Sequence, residues 1–284
     1  MSLNPAQNPS PKVSIVIPCY NDVAYIEQAV QSALNQSYSN IEVIVVDDGS
    51  NDETKAVLKK LEPSITQLIT QENKGQSAAR NHGIKASSGD YILVLDSDDY
   101  FESCFCEEAI AAFSSDASLK IVSCQATLLY SDHKKEIYIP KGGDITNFMF
   151  QNCALGTSMY RKLDWESVNG YDETMRSGFE DWEFFIHLLK SGGNTFVIQK
   201  PLYTYRKREI STTARANRVR YDLLHYIYIK HSDLYQANFE SFVSFLLNKM
   251  KQAESTQFKY KEKIDYKIGA FILKPIRVIK SFFK

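Results

Sequence analysis

Between residues 13 and 95 the sequence alternates short apolar runs with segments of helical period, and this alternation constrains the fold more than any other feature. "VSIVI" (13–17), "IEVIVV" (41–46), "QLIT" (67–70) and "YILVL" (91–95) read as strands. Between them Ile26, Ala29, Val30, Ala33 and Leu34 recur at helical spacing, residues 51–61 open on an Asn-Asp capping pair and run helical, and residues 75–87 return to a helix. Such β and α units pack as a largely parallel sheet with helices on both faces, the architecture of nucleotide-binding α/β domains.

Beyond residue 105 the pattern loosens. A helix is expected near 105–113, a strand at 120–124, a hairpin over 127–139, a break at Gly142 and Gly143, a strand at 156–161 and a helix from Glu180 to Gly192. After about residue 214 only helical patterns remain. The expected organisation is a disordered lead-in over 1–11, an α/β domain over 12–213 (halves of about 12–100 and about 101–213) and a helical extension over 214–284. With 284 residues and 44% apolar composition, the chain has enough material for this core.

Two acidic clusters fall at the carboxyl ends of strands, the edge where open parallel sheets bind ligands. "VVDDGS" puts Asp47 and Asp48 after the second strand, and "LVLDSDD" puts Asp96, Asp98 and Asp99 after the fourth. Carboxylates gathered this closely raise one another's pKa unless a cation neutralises them. Oxygen ligands without His or Cys suit Mg2+ or Mn2+, which takes substrate phosphates as further ligands. Capping of the next helix is the competing reading for either cluster alone.

The motifs "VSIVIPCYN", "IEVIVVDDGSNDET", "NKGQSAARNHGIKASSGDYILVLDSDD" and "GYDETMRSGFEDWEFFIHLLKSG" occur in an order that resembles family 2 of the inverting glycosyltransferases, which have the GT-A fold. The resemblance covers roughly residues 12–206. It implies a GT-A sheet with a helical C-terminal extension and a single sugar moved from a nucleotide-sugar donor, UDP-linked, to a saccharide or lipid-linked acceptor in surface polysaccharide synthesis. It further implies that Asp48 accepts a hydrogen bond from the base, that Pro18 and Tyr20 pack around it, and that Asp98 binds a Mn2+ or Mg2+ bridging the phosphates. Asp96 would reach the ribose or the metal through water, and Asp181 would be the catalytic base.

For Asp181 a first-turn carboxylate favoured by the helix dipole is the competing reading. Glu180 is a candidate acceptor-binding group or a solvated side chain. Arg80 is read either as reaching the diphosphate, as pairing with the acidic cluster, or as a surface residue; Gln76 would present a donor to the ligand. Trp182 and Trp165 are candidates for an acceptor platform, with a core role expected for at least one.

The chain departs from the family in lacking the Q-x-x-R-W signature and the spanning helices of processive synthases. Where many relatives carry a histidine after the Tyr-Arg pair, this sequence runs "YTYRKREISTT", leaving Lys207 and Arg208 as alternatives for a diphosphate contact. Two rivals are kept. A nucleotidyltransferase needs a glycine-rich basic loop after the first strand, and "PCYNDVAY" has neither; a non-catalytic sugar or nucleotide binder would not need Asp98 and Asp181.

Five cysteines without metal spacing read as reduced thiols of a cytoplasmic protein. Residues 258–284 hold eight basic and two acidic side chains, +6, which leaves −7 for the rest at a net charge of −1. Within it, residues 266–284 read as an amphipathic segment for an anionic membrane surface, peripheral on the inner face of the cell membrane, with docking on protein as the alternative. Nucleic acid is not an expected partner, because the basic cluster is confined to the tail.

Overall fold

The structure, a computed structural model, describes residues 10–131, 134–208 and 212–263, with Tyr266, Ile268 and Leu273. The chain divides into two compact units, Met1–Lys230 and His231–Lys284.

In the first unit the four expected strands form β1 (Val13–Cys19), β2 (Ile41–Asp47), β3 (Gln67–Thr70) and β4 (Tyr91–Val94), parallel and in the spatial order β3, β2, β1, β4. β1 is buried at every position because helices cover both of its faces. Val13, Ile15, Ile17, Val43 and Val45 share a core with Ala29 and Val30 of α1 (Ile26–Leu34) and Leu58 of α2 (Asp52–Leu61). Val16 and Val46 point to the opposite face, against α3 (Gln76–Ala86). There Gly83 lets helix and sheet touch: a Cβ on it would lie 2.5 Å from Val16 Cγ1.

Local chemistry sets the ends of these elements. Asn51 caps α2 by accepting from the Thr54 amide at 3.0 Å. At the far edge of the sheet, burial pushes the Glu42 carboxyl up, but hydrogen bonds from Lys12, Ser14 and Ser88 outweigh it and hold the group at about 2. Pro18 is tolerated in β1 because pairing with β4 ends at Val16 and Val94.

The second half of the sheet is mixed. β5 (Tyr100–Phe101), β6 (Leu119–Leu129), β7 (Lys135–Tyr138), β8 (Met159–Arg161) and β9 (Asn194–Arg206) extend the order through β8, β6, β9 and β5, and β7 pairs with β6. β8 is antiparallel to both β4 and β6, so it joins the two halves. Sequence reading did not anticipate β9, which runs parallel to β6 with register shifts between Cys124 and Ala126, opposite Ile198, Pro201 and Tyr203. A proline inside a run argues against a strand, and the irregular register accommodates it.

The remaining helices of this unit are α4 (Phe105–Ser115), α5 (Ile145–Phe148), α6 (Lys162–Ser167), α7 (Glu180–Leu189), α8 (Thr212–Arg218) and α9 (Arg220–Lys230). The second unit holds α10 (Ser232–Ala237) and α11 (Phe239–Glu262), with Tyr235 and Phe242 in ring contact at 4.7 Å. All five cysteines are free thiols and four are buried. Among the described residues no helix is long and apolar enough to cross a membrane. The amphipathic reading of 266–284 lies outside the described residues except at Tyr266, Ile268 and Leu273.

Candidate active site

The carboxyl edge of the parallel strands gathers both acidic clusters. Asp48 is buried, and its carboxylate accepts from Gln71 Nε2 at 2.8 Å and from the amides of Lys74 and Gly75 at 2.8 and 2.9 Å. His82 Nδ1 holds the other end of the Gln71 amide at 2.7 Å. Asp48 therefore fixes the turn that opens α3, and with three hydrogen bonds made it keeps room for about one more. Asp47 accepts from the Ser50 amide at 2.9 Å, while its buried Oδ2 has no partner.

Beside Asp48, the β1 strand runs out through Pro18 into Tyr20, whose ring is 51% exposed. Asn21 follows in the left-handed region at φ 57° and its Oδ1 accepts from the Asn51 amide at 2.7 Å, which ties this loop to the turn after β2.

The three carboxylates after β4 have different surroundings. Asp99 turns inward: it accepts from the Tyr203 hydroxyl and from the Arg206 amide, so it secures the end of β9. Burial, then Asp98 and Asp96, push its carboxyl well up. Asp96 Oδ1 accepts from Gln76 Nε2 and from Arg80, each at 2.9 Å. Gln76 and Arg80 are one turn apart on α3, so they reach the same oxygen. Asp98 pairs with Arg208 at 2.5 Å, yet burial and Asp96 still push its carboxyl up to about 6.

Arg80 links this cluster to the second half of the domain. Its side chain is 2% exposed, and it bridges Asp96 and Glu180, at 2.9 Å to each, over the Tyr171 ring at 5.3 Å. Gly178 (φ 115°) and Phe179 (φ 63°) both take positive φ immediately before α7, a turn that sets the direction of Glu180 and Asp181. A bulky residue in that region is strained and is held there by its surroundings.

Asp181 is only partly covered. Its Oδ2 accepts from Asn152 Nδ2 and its Oδ1 from the Trp182 amide, both at 2.8 Å. Gly156 passes so close that a Cβ there would stand 2.8 Å from Asp181 Oδ2. Burial raises the carboxyl of Asp181 against the pull of Arg80, and burial lifts Glu180 to about 7 against the same arginine. A raised carboxylate is a better proton acceptor near neutral pH than an ordinary one.

The structure thus brings Asp96, Gln76, Arg80, Glu180 and Asp181 into one polar strip, with Asp98 at one end, Pro18 near the end of β1, and Tyr20 and Asp48 just past the ends of β1 and β2. One expectation changes. Trp182 is 3% exposed and its indole N–H donates to the Phe148 carbonyl at 2.6 Å, so it anchors α5 and offers no face to an acceptor sugar. Of the three readings of Arg80, the structure shows pairing with the acidic cluster, as a buried counter-ion to Asp96 and Glu180. Sequence reading missed Asp22, whose partner Arg208 lies 186 positions away, and Asn152, whose contact with Asp181 spans 29 positions without any local pattern.

Among the described residues no three His, Cys, Asp or Glu side chains converge as a metal cage. Asp96 Oδ2 and Asp98 Oδ1 nevertheless accept no hydrogen bond among the described residues, which fits a hard divalent ion completed by substrate phosphates and water. An open groove elsewhere, between α4 and β9 and lined by Ala112, Phe196, Ile198 and Lys200, contains none of these groups.

Residues 14–178 match the model of glycosyl transferase family 2, and residues 146–231 match one described as the N-terminal domain of galactosyltransferase. The uncharacterized glycosyltransferase EpsJ of Bacillus subtilis is 31% identical over 72% of this chain and 63% of its own length. The chondroitin synthase of Escherichia coli is 32% identical over 64% of this chain and 27% of its own. The chain therefore spans less than two thirds of either relative. Among solved structures, S. aureus TarS 1–349 in complex with UDP-GlcNAc superposes with a TM-score of 0.69 at 21% identity, over 90% of this chain and 77% of that one, so the fold is that of the GT-A enzymes. With the matched region spanning both acidic clusters, the chain belongs to glycosyl transferase family 2.

Proposed function

We propose that the chain is a metal-dependent, inverting glycosyltransferase that moves one sugar from a UDP-linked donor to a saccharide or lipid-linked acceptor, in surface polysaccharide synthesis. The observation that carries this reading is the bridge through Arg80, which holds the Asp96 and Asp98 cluster and the Glu180 and Asp181 turn as two ends of one site. The names of the relatives, chondroitin synthase among them, and the UDP-GlcNAc held by TarS support the donor and the pathway class.

In this reading Tyr20 and Asp48 receive the base, and Asp96 and Asp98 hold the ion. When bound, a divalent ion supplies charge stabilisation to the departing nucleoside diphosphate. Asp181 takes the proton of the acceptor hydroxyl as its oxygen bonds to the anomeric carbon, and the electron pair of the broken bond leaves on the diphosphate oxygen. Asn152 keeps the Asp181 carboxylate turned toward the open side. Attack from the face opposite the leaving group inverts the anomeric centre.

The test is nucleoside diphosphate release from a panel of nucleotide sugars with mixed glycoside acceptors, with and without Mn2+. Metal-dependent release is expected, and Asp181→Asn should lower it by about 10²- to 10⁴-fold while UDP binding persists. Release that survives in Asp181→Asn, or a protein that binds no nucleotide, refutes the reading.

A further inference from the structure

Arg206 ends β9 and Arg208 lies two residues beyond it, and the surroundings of the two arginines differ. Arg206 is fixed: it donates to the Asp98 carbonyl and to Gln28 Oε1, and its guanidinium lies over the rings of Tyr25 and Tyr100 at 4.8 and 5.0 Å. Arg208 is held by carboxylates. Its Nη2 is 2.5 Å from Asp98 Oδ2 and its Nη1 is 2.9 Å from Asp22 Oδ1. Asp22 in turn accepts from the hydroxyl of Ser97, the residue between Asp96 and Asp98. The Arg208 side chain is 37% exposed, so it can leave without opening the core.

A guanidinium on Asp98 Oδ2 and a divalent ion on its open Oδ1 would stand a few ångströms apart and repel strongly where water is scarce, so the ion is disfavoured while Arg208 stays. A bare ion would have to expel the arginine with nothing to compensate it. An ion arriving with a diphosphate brings that compensation, since the displaced guanidinium finds phosphate oxygens it can bind with charge-assisted hydrogen bonds.

We propose that Arg208 is an internal counter-cation at Asp98, exchanged for a divalent ion only when a nucleotide diphosphate arrives, and that Asp22 retains the arginine beside the diphosphate afterwards. This rests on the donor site described under the proposed function, and it adds Asp22 and Arg208 to that site.

Binding, without turnover, tests it. Free Mn2+ is followed by electron paramagnetic resonance against wild type, Arg208→Gln and Asp98→Asn, with and without UDP, and UDP binding is followed by calorimetry at saturating Mn2+. Arg208→Gln should bind Mn2+ alone about tenfold more tightly than wild type. It should bind UDP with Mn2+ about tenfold more weakly, through the lost charge-assisted bond. Opposite signs cannot come from a merely loosened loop. If wild type binds Mn2+ and UDP together but Arg208→Gln leaves affinity for Mn2+ alone unchanged or lower, the counter-cation is overturned and the glycosyltransferase reading stands. If wild type binds neither, or if Asp98→Asn binds Mn2+ with UDP as wild type does, the donor site itself is wrong and the counter-cation fails with it.

Discussion

Replacing Arg80 by methionine removes a buried cation while keeping most of the volume of its stem. Two carboxylates lose their partner, but not equally: the Asp96 side chain is 27% exposed and keeps water, whereas Glu180 is 8% exposed and does not. Removing one member of a buried pair costs about 3–5 kcal/mol, and most of that should fall on Glu180. The cost depends on pH. In wild type, burial holds the Glu180 carboxyl at about 7, above its ordinary 4.5, although Arg80 pulls it down. A group whose folded pKa is raised gives its full stability below the unfolded value and loses it as pH rises through the folded one. Without Arg80 the folded value moves higher still. From about pH 7 up to that new value the variant loses roughly 1.4 kcal/mol per pH unit relative to wild type, and below pH 7 the gap narrows to the lost packing and the Asp96 bond. Urea denaturation at pH 6 and pH 9 measures this. The difference between Arg80→Met and wild type should be about 1–3 kcal/mol larger at pH 9, and adding Glu180→Gln should abolish that excess. Equal differences at the two pH values would mean that Arg80 does not neutralise Glu180.

Two further substitutions test the packing around the site. Gly83→Ala places a Cβ 2.5 Å from Val16 Cγ1 and 2.9 Å from Val46 Cγ2, so thermal denaturation should report a loss of about 1–3 kcal/mol from overpacking. Trp182→Phe deletes the hydrogen bond to the Phe148 carbonyl and should cost about 1–3 kcal/mol of stability with the acceptor KM unchanged; a large rise in KM would return Trp182 to the acceptor surface.

What sequence could reveal followed from the range of the interaction involved. β1 to β4 and α1 to α3 were legible because each is a local pattern, an apolar run or a helical stripe, readable without knowing which strand it pairs with. β9 was not, since Pro201 breaks its pattern and only pairing with β6 supports it. Likewise the carboxylates were visible as clusters, with Arg80 as a candidate partner, while the pairings with Glu180 and Asp22 were not. Arg80 meets Glu180 across 100 positions, and Arg208 meets Asp22 across 186. No periodicity encodes such a meeting; it exists only once β8 has joined the two halves of the sheet.

Those distant partners are also what sorts one aspartate from another. Asp99 is satisfied by a hydroxyl and a backbone amide and belongs to the frame. Asp48 holds the turn before α3. Asp96 and Glu180 share Arg80, and Asp98 and Asp22 share Arg208, so four carboxylates are held by only two cations. Asp181 differs from all of them. It is partly exposed, raised by burial, and its direct hydrogen-bond partners, Asn152 and the Trp182 amide, are uncharged. A contacting cation lowers the proton affinity of a carboxylate and takes up its oxygens, whereas neutral donors leave it open to an incoming hydroxyl. Glu180 and Asp98 are raised by burial to about 7 and about 6, but each is covered by an arginine. Among the described residues of this strip, Asp181 is the carboxylate that is partly exposed, raised by burial and not in contact with a cation.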